Sequence, residues 1–172
     1  MLFKKIILEI DGACRGNPGE AAVGVVIRQI LQTTDERLET SDIGPKTSDI
    51  GSTEEFSAYL GLATNNVAEY KALLFGLNKA KEFAVRCLQL ANSKQQIAIL
   101  VKTDSELLAK QINGEYQVKS PKLKLLHRDT LRLLENFSDW KVISVSRTEN
   151  RQADRLAQLE LRQHIKHKKD KR

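Results

Sequence analysis

Ile6, Leu8 and Ile10 alternate with Ile7, Glu9 and Asp11, the period-two pattern of a β-strand. Residues 21–28 form a second apolar run that contains Gly24, and the Gly16-Asn17-Pro18-Gly19 turn between the two runs predicts a hairpin. Phe56, Ala58, Leu60 and Leu62 alternate with Ser57, Tyr59 and Gly61 as a third strand. The period then changes: Tyr70, Leu73, Leu74 and Leu77 recur at three and four residues, as on one face of a helix. Ile97 to Val101 is almost wholly apolar, which predicts a strand buried on both faces. Ser105 is placed to cap a short helix ending near Gly114. Ser120-Pro121 reads as the cap and first position of another helix, with Leu123, Leu126, Leu133, Leu134 and Phe137 along one side. Trp140, Val142 and Ser144 alternate with Lys141, Ile143 and Val145 in a fifth strand, and a last helix starts near Asn150.

This order of elements predicts an α/β fold. Its five-stranded mixed sheet has three antiparallel strands followed by two parallel ones, with helices on both faces. Residues 31–54 fit no element and carry TSDIG at 40–44 and again at 47–51. Two copies are too few for a solenoid, so this stretch is expected to be a mobile inserted loop. The expected organisation is one domain over 1–163, containing that loop, and a basic tail over 164–172.

A chain of 172 residues is long enough to bury a substantial core as one domain. Its first apolar run is too short for a signal peptide and no stretch approaches membrane-spanning length. The two cysteines, Cys14 and Cys87, make no disulfide or metal pattern, which fits a reducing cytoplasm. The formal charge of +6 is uneven. Residues 162–172 hold six cations against one acid, whereas residues 32–55 hold seven acids against two cations. A basic body suits a polyanionic partner as well as it suits a solvated surface.

Chemistry concentrates on four acids. Asp11 lies in IDGACRGNPG, Glu69 in TNNVAEYKALLFGL, Asp104 in VKTDSELL and Asp154 in RTENRQADRLA. Each falls at the end of a predicted strand or early on a predicted helix. Alone, each has an ordinary reading: a turn, a solvated helix residue, a helix start, a dipole partner. If those ends converge, four like charges share a small volume and require divalent cations to hold them there.

The four motifs, in this order, resemble the type 1 ribonuclease H family over most of residues 4–162. The resemblance implies an endonuclease that cuts the RNA strand of an RNA–DNA hybrid, leaving 5′-phosphate ends, with two Mg²⁺ ions for which Mn²⁺ can substitute. It implies that Asp11, Glu69, Asp104 and Asp154 are both the catalytic residues and the metal ligands. Asp11 would bridge both ions, Glu69 and Asp104 would help hold one, and Asp154 the other. Cys14, Asn17, Thr64, Asn65 and Asn66 match family positions that meet the nucleic acid. Each also has a local reading: packing for Cys14, turn geometry for Asn17, helix capping for Thr64 or Asn65.

The chain departs from some members in two places. No histidine stands between Trp140 and Asp154. Arg147 lies there instead, resembling the family's histidine-free, archaeal and bacterial branch, and it either binds the scissile phosphate or supports the fold. His127, His164 and His167 read as solvated. The stretch INGEYQVKSPKLK is shorter than the basic protrusion of some members, and Tyr116, Lys119, Lys122 and Lys124 either touch a backbone there or form a plain connector. Two other classes compete with the hybrid nuclease: a related-fold DNA nuclease or resolvase, and a non-catalytic hybrid-binding module. A monomer is expected.

Overall fold

A computed structural model describes residues 3–31, 50–90 and 97–170. The strands are β1 (Phe3–Gly16), β2 (Gly19–Leu31), β3 (Ile50–Ala63), β4 (Ala98–Thr103) and β5 (Trp140–Ser144). The helices are α1 (Asn65–Leu90), α2 (Glu106–Ile112), α3 (Pro121–Leu134) and α4 (Arg151–Asp170). The sheet order is β3-β2-β1-β4-β5. The pairs β1–β2 and β2–β3 are antiparallel, and β1–β4 and β4–β5 parallel. This is the mixed five-stranded sheet the alternation predicts.

Period two in β1 sorts the two faces. Ile6, Leu8 and Ile10 enter the main core with Val23, Val25 and Ile27 of β2 and with Val67, Tyr70, Leu73 and Leu77 of α1. Ala13 and Ala22 point the other way and pack against Ala157 and Leu161 of α4. Each fully buried Leu, Ile or Val contributes about 1.5–3 kcal/mol over its exposed state. Two glycines set the helix-to-sheet spacing. A Cβ on Gly12 would lie 2.5 Å from the backbone carbon of Ala68 in α1. A Cβ on Gly24 would lie 2.1 Å from the carbonyl oxygen of Ala153 in α4. On the α4 face, Arg28 forks onto buried Glu9 at 3.2 and 3.1 Å and reaches Gln152 Oε1 at 2.5 Å, and Gln152 bonds in turn to Glu55. The part-buried pair joins β1 to β2, and the Gln152 bonds tie the first turn of α4 to it.

Four expectations need correction. The strand pattern places Leu62 in the core, yet it is 74% exposed. Ala21 pairs with Gly61 and Ala22 with Tyr59, so Leu60 is an extra residue beside Gly61, whose φ is +76°. The bulge reverses the phase, burying Ala63 and turning Leu62 out. β4 is not buried equally on both faces. Ile99, Val101 and Thr103 are buried, while Ala98, Leu100 and Lys102 are half-covered. β3 begins at Ile50 and so takes up the last residues of the expected 31–54 loop, while 32–49 lie outside the described residues. Finally, α4 runs without a break from Arg151 to Asp170, so the expected 163/164 boundary falls inside a helix.

Candidate active site

β1 carries Asp11 past the core on the α4 face, and β4 delivers Asp104 directly after its last residue, Thr103. Because β1 and β4 are parallel neighbours, both strands bring their carboxylates to the same end of the sheet. α1 contributes Glu69 from its first turns, and it reaches that end because Gly12 lets the Ala68–Glu69 backbone lie against β1. α4 contributes Asp154 from its first turn.

Asp11 shows the convergence. Its carboxyl is pushed up from 3.8 to about 7, first by burial, then by the negative charges of Asp104 and Asp154, then by a hydrogen bond shared with Asp104, with Arg147 pulling weakly the other way. Burial also raises Glu69; Ser105 partly offsets this, and Asp104 adds to it. Ser105 Oγ donates to Glu69 Oε2 at 2.5 Å and accepts from Leu108 N–H at 3.2 Å. One hydroxyl therefore caps α2 and ties its start to α1, setting Glu69 beside Asp104. Arg147, 72% exposed, donates from Nη2 to Asp154 Oδ1 at 3.1 Å and also feels Asp104 and Asp11. Its guanidinium thus sits on the rim of the acidic cluster with one side in solvent.

Among the described residues no three acidic, histidine or cysteine side chains close a ready metal cage. The mutual electrostatic effects on Asp11 nevertheless place three carboxylates in one field. The acids already hold partners: Asp11 shares a hydrogen bond with Asp104, Arg147 donates to Asp154 and Ser105 donates to Glu69. The donor set itself, four hard carboxylates with one reluctant to ionise, suits Mg²⁺ or Mn²⁺.

The neighbouring surface joins two motifs that are remote in sequence. Asn17 Oδ1, in the hairpin turn, accepts from Asn65 N–H at the head of α1 at 3.2 Å. Thr64 Oγ1 accepts from Val67 N–H at 3.4 Å, so Thr64 rather than Asn65 is the helix cap. Asn65 and Asn66 are exposed, and their side chains bond to no described residue. Cys14 is half-buried, with Sγ 2.7 Å from Gly16 O and 3.1 Å from Ala63 O; its thiol is thus enclosed by carbonyls at the hairpin base.

The family match agrees with this geometry. Residues 53–160 match the model of the reverse transcriptase-like family. The chain is 35% identical over 147 residues to ribonuclease HI of Halobacterium salinarum, covering 86% of this chain and 59% of that protein. It is 33% identical over 153 residues to a bifunctional protein of Mycobacterium tuberculosis, covering 89% of this chain and 34% of that one. It thus spans less than two thirds of both relatives. The crystal structure of the ribonuclease H1 called LC11, in complex with an RNA/DNA hybrid, superposes with a TM-score of 0.71 at 32% identity, covering 93% of this chain and 99% of that one.

The chain belongs to the type 1 ribonuclease H family.

Within that family frame, one residue stands out that the sequence patterns did not flag. Asn150 is fully buried and donates from Nδ2 to Ile10 O at 2.8 Å and to Asp104 Oδ1 at 3.4 Å. Its own backbone carbonyl accepts from Asp154 N–H at 3.1 Å. It therefore touches the segments carrying Asp11, Asp104 and Asp154. The cue available in sequence was a polar residue at the start of α4, which reads equally as a cap. Asn150→Ala is expected to destabilise the protein by about 1–3 kcal/mol, because the Ile10 carbonyl stays buried without a donor. Urea unfolding checks this, and a loss below about 0.5 kcal/mol, the low end for an ordinary hydrogen bond, would show that the clamp is dispensable.

The histidines also differ from expectation. His164 stacks on Tyr59 with ring centroids 3.5 Å apart, and His127 Nε2 lies 3.1 Å from the Gln111 carbonyl. Both are half-buried structural groups rather than solvated ones, whereas His167 is exposed on α4. Tyr116 is exposed on the α2–α3 connector, with Lys110 Nζ 4.9 Å above its ring. Lys119, Lys122 and Lys124 are exposed nearby along the same segment.

Proposed function

We propose that the chain is a ribonuclease H that hydrolyses the RNA strand of RNA–DNA hybrids with two divalent cations, leaving 5′-phosphate ends. The observation that carries this is the convergence on Asp11: burial and the charges of Asp104 and Asp154, which follow β4 and open α4, together raise the cost of ionising it. Asp11, Glu69, Asp104 and Asp154 would hold Mg²⁺ or Mn²⁺. Held there, such cations would supply water activation and charge stabilisation for an in-line displacement.

The remaining contributions are those of the chain. Asp11 is reluctant to ionise at neutral pH, so a cation held there would favour its charged form. Ser105 and Asn150 fix the directions of Glu69 and Asp104 before substrate arrives, so little reorganisation is left for the reaction. Arg147, balanced between Asp154 and solvent, can swing to the scissile phosphate as a charge-assisted donor. Asn17, Asn65 and Asn66 form one polar surface whose amides can both donate to and accept from a 2′-hydroxyl, the group that separates RNA from DNA. Thr64 and Cys14 border that surface, Thr64 through the helix cap and Cys14 through the hairpin base. Turnover by a monomer in a reducing cytoplasm completes the reading. Among the described residues, no helix is long and apolar enough to cross a membrane.

The test is cleavage of end-labelled RNA–DNA hybrid, double-stranded RNA and double-stranded DNA, with Mg²⁺, with Mn²⁺ and with chelator. Metal-dependent cutting of the hybrid's RNA strand alone is expected. Cutting of double-stranded DNA would favour the resolvase-like alternative. Tight hybrid binding without any cutting would favour a binding module.

A further inference from the structure

The C-terminal half of α4 is anchored onto the sheet. Lys168 Nζ pairs with Glu20 Oε1 at 2.7 Å, and the Tyr59–His164 stack holds the helix one turn earlier. Between this half of α4 and the far end of β1 lies an open groove of about 440 Å³. Leu161 and Ile165 line its floor, and Arg15, Gln158, Arg162 and Lys166 its rim. Among the described residues no acid lies within ion-pair distance of Arg15, Arg162 or Lys166. Gln158, Arg162 and Lys166 follow one another at four-residue spacing, and Asp154 is the preceding member of the same series. The helix face that starts on the acidic cluster therefore continues as a cationic groove.

We propose that this groove is a phosphate track for the strand cut at the acidic cluster. The inference rests on the hybrid-nuclease reading above and adds a second point of contact, remote from the chemistry. Two guanidiniums and an ammonium present the fork and point-charge donors that backbone phosphates take, and the Gln158 amide adds a neutral donor. No aromatic lines the groove, so no base stacks there, and the track reads backbone rather than sequence. Arg162 and Lys166 follow Asp154 by about two and three turns, roughly 12–18 Å along the helix. At about 3.4 Å of duplex axis per phosphate in one strand, that is roughly four to five phosphates from the cut, on one side only.

The test compares wild type with the triple variant Arg15→Ala/Arg162→Ala/Lys166→Ala on three hybrids. One extends well beyond the cut on both sides, and the others end about three base pairs from it on one side or the other, short of the groove. Affinity is read by fluorescence anisotropy in chelator, separately from cleavage in Mg²⁺. The triple variant is expected to bind the long hybrid about tenfold more weakly or worse at low salt. Its log–log salt slope should fall by about two, at roughly 0.7–0.9 for each phosphate left without its cation. Turnover at saturation should hold while the Michaelis constant rises. Trimming one particular side should weaken wild type by a similar factor and leave the variant indifferent. Arg15→Lys/Arg162→Lys should retain most of the slope, because it keeps the charge. An unchanged slope, or equal sensitivity of both proteins to trimming, overturns the track. Failure of wild type to cut any hybrid would overturn the nuclease reading instead, with the anisotropy still deciding the groove.

Discussion

Asp11→Asn is expected to abolish hydrolysis and, at the same time, to make the metal-free protein harder to unfold above pH 7. The carboxyl of Asp11 stands at about 7 in the folded chain against an ordinary 3.8. Between those values the folded state binds more protons than the unfolded one, so stability falls as pH rises through the window. Above it the full penalty of an ionised Asp11 beside Asp104 and Asp154 is present; below about pH 4 none is. Asparagine keeps a hydrogen-bond donor toward Asp104 without the charge. The ceiling is about 1.4 kcal/mol for each tenfold gain in proton affinity on folding, lowered because water still partly reaches the group. In a domain of this size each kcal/mol moves Tm by about 2–4 °C. A gain of several degrees is therefore expected at pH 8 in chelator and almost none at pH 4. On the two-cation reading proposed above, losing the Asp11 carboxylate should cost turnover on the order of a thousandfold. Wild-type turnover by Asp11→Asn would remove the acidic cluster from the chemistry. Equal Tm shifts at both pH values would remove the charge repulsion.

Gly12→Ala is expected to produce the second large effect, through backbone alone. The added Cβ would meet the Ala68 carbon at 2.5 Å, the Glu69 nitrogen at 2.6 Å and the Ala68 oxygen at 2.8 Å, and backbone atoms cannot rotate away. The head of α1 must back off by roughly an ångström, taking Glu69 from Asp11. Overpacking of this kind costs about 1–3 kcal/mol, and an ångström of misplacement costs roughly a hundredfold in rate. Gly76→Ala supplies the control. Its Cβ would meet only side-chain methyls of Ile10 and Leu8 at 3.0–3.3 Å, and alanine is worth up to about 1 kcal/mol more than glycine inside a helix. Gly76→Ala should be near neutral in both stability and turnover. Urea unfolding and steady-state kinetics on the two variants decide the matter; similar behaviour of both would mean that the α1–β1 spacing does not position the site.

Much of this was legible because it depends on local rules. The alternation through Ile6, Leu8 and Ile10 fixes a face, Ser105 and Ser120 cap the helices they precede, and the GNPG turn closes a hairpin with Gly16 opposite Gly19. The four acids could be placed at element ends, and parallel pairing of β1 with β4 then brings Asp11 and Asp104 together. What was not legible depends on contacts across long separations. Leu62 reads as core until the bulge beside Gly61 inverts the phase. Asn150 reads as a cap because Ile10, its partner, is 140 residues away. His164 and Lys168 look like parts of a loose basic end until Tyr59 and Glu20 receive them. Gly12 and Gly24 read as a turn and as a strand blemish, although each is the point where a helix backbone touches the sheet.

The reach of the Asn150–Ile10 bond has a consequence for the chain during its synthesis. β1 carries the first carboxylate and is made before α4, whereas Asp154 lies on α4, the last described element, and the Asn150 clamp stands directly before it. A nascent chain that has displayed Asp11, Glu69 and Asp104 still lacks the fourth acid, the clamp and the helix that covers Ala13 and Ala22. The same holds for a chain clipped between β5 and α4. The acidic cluster is thus complete only once α4 has been made, so a chain that stops before α4 is expected to lack the fourth carboxylate and, with it, the hybrid cutting proposed above.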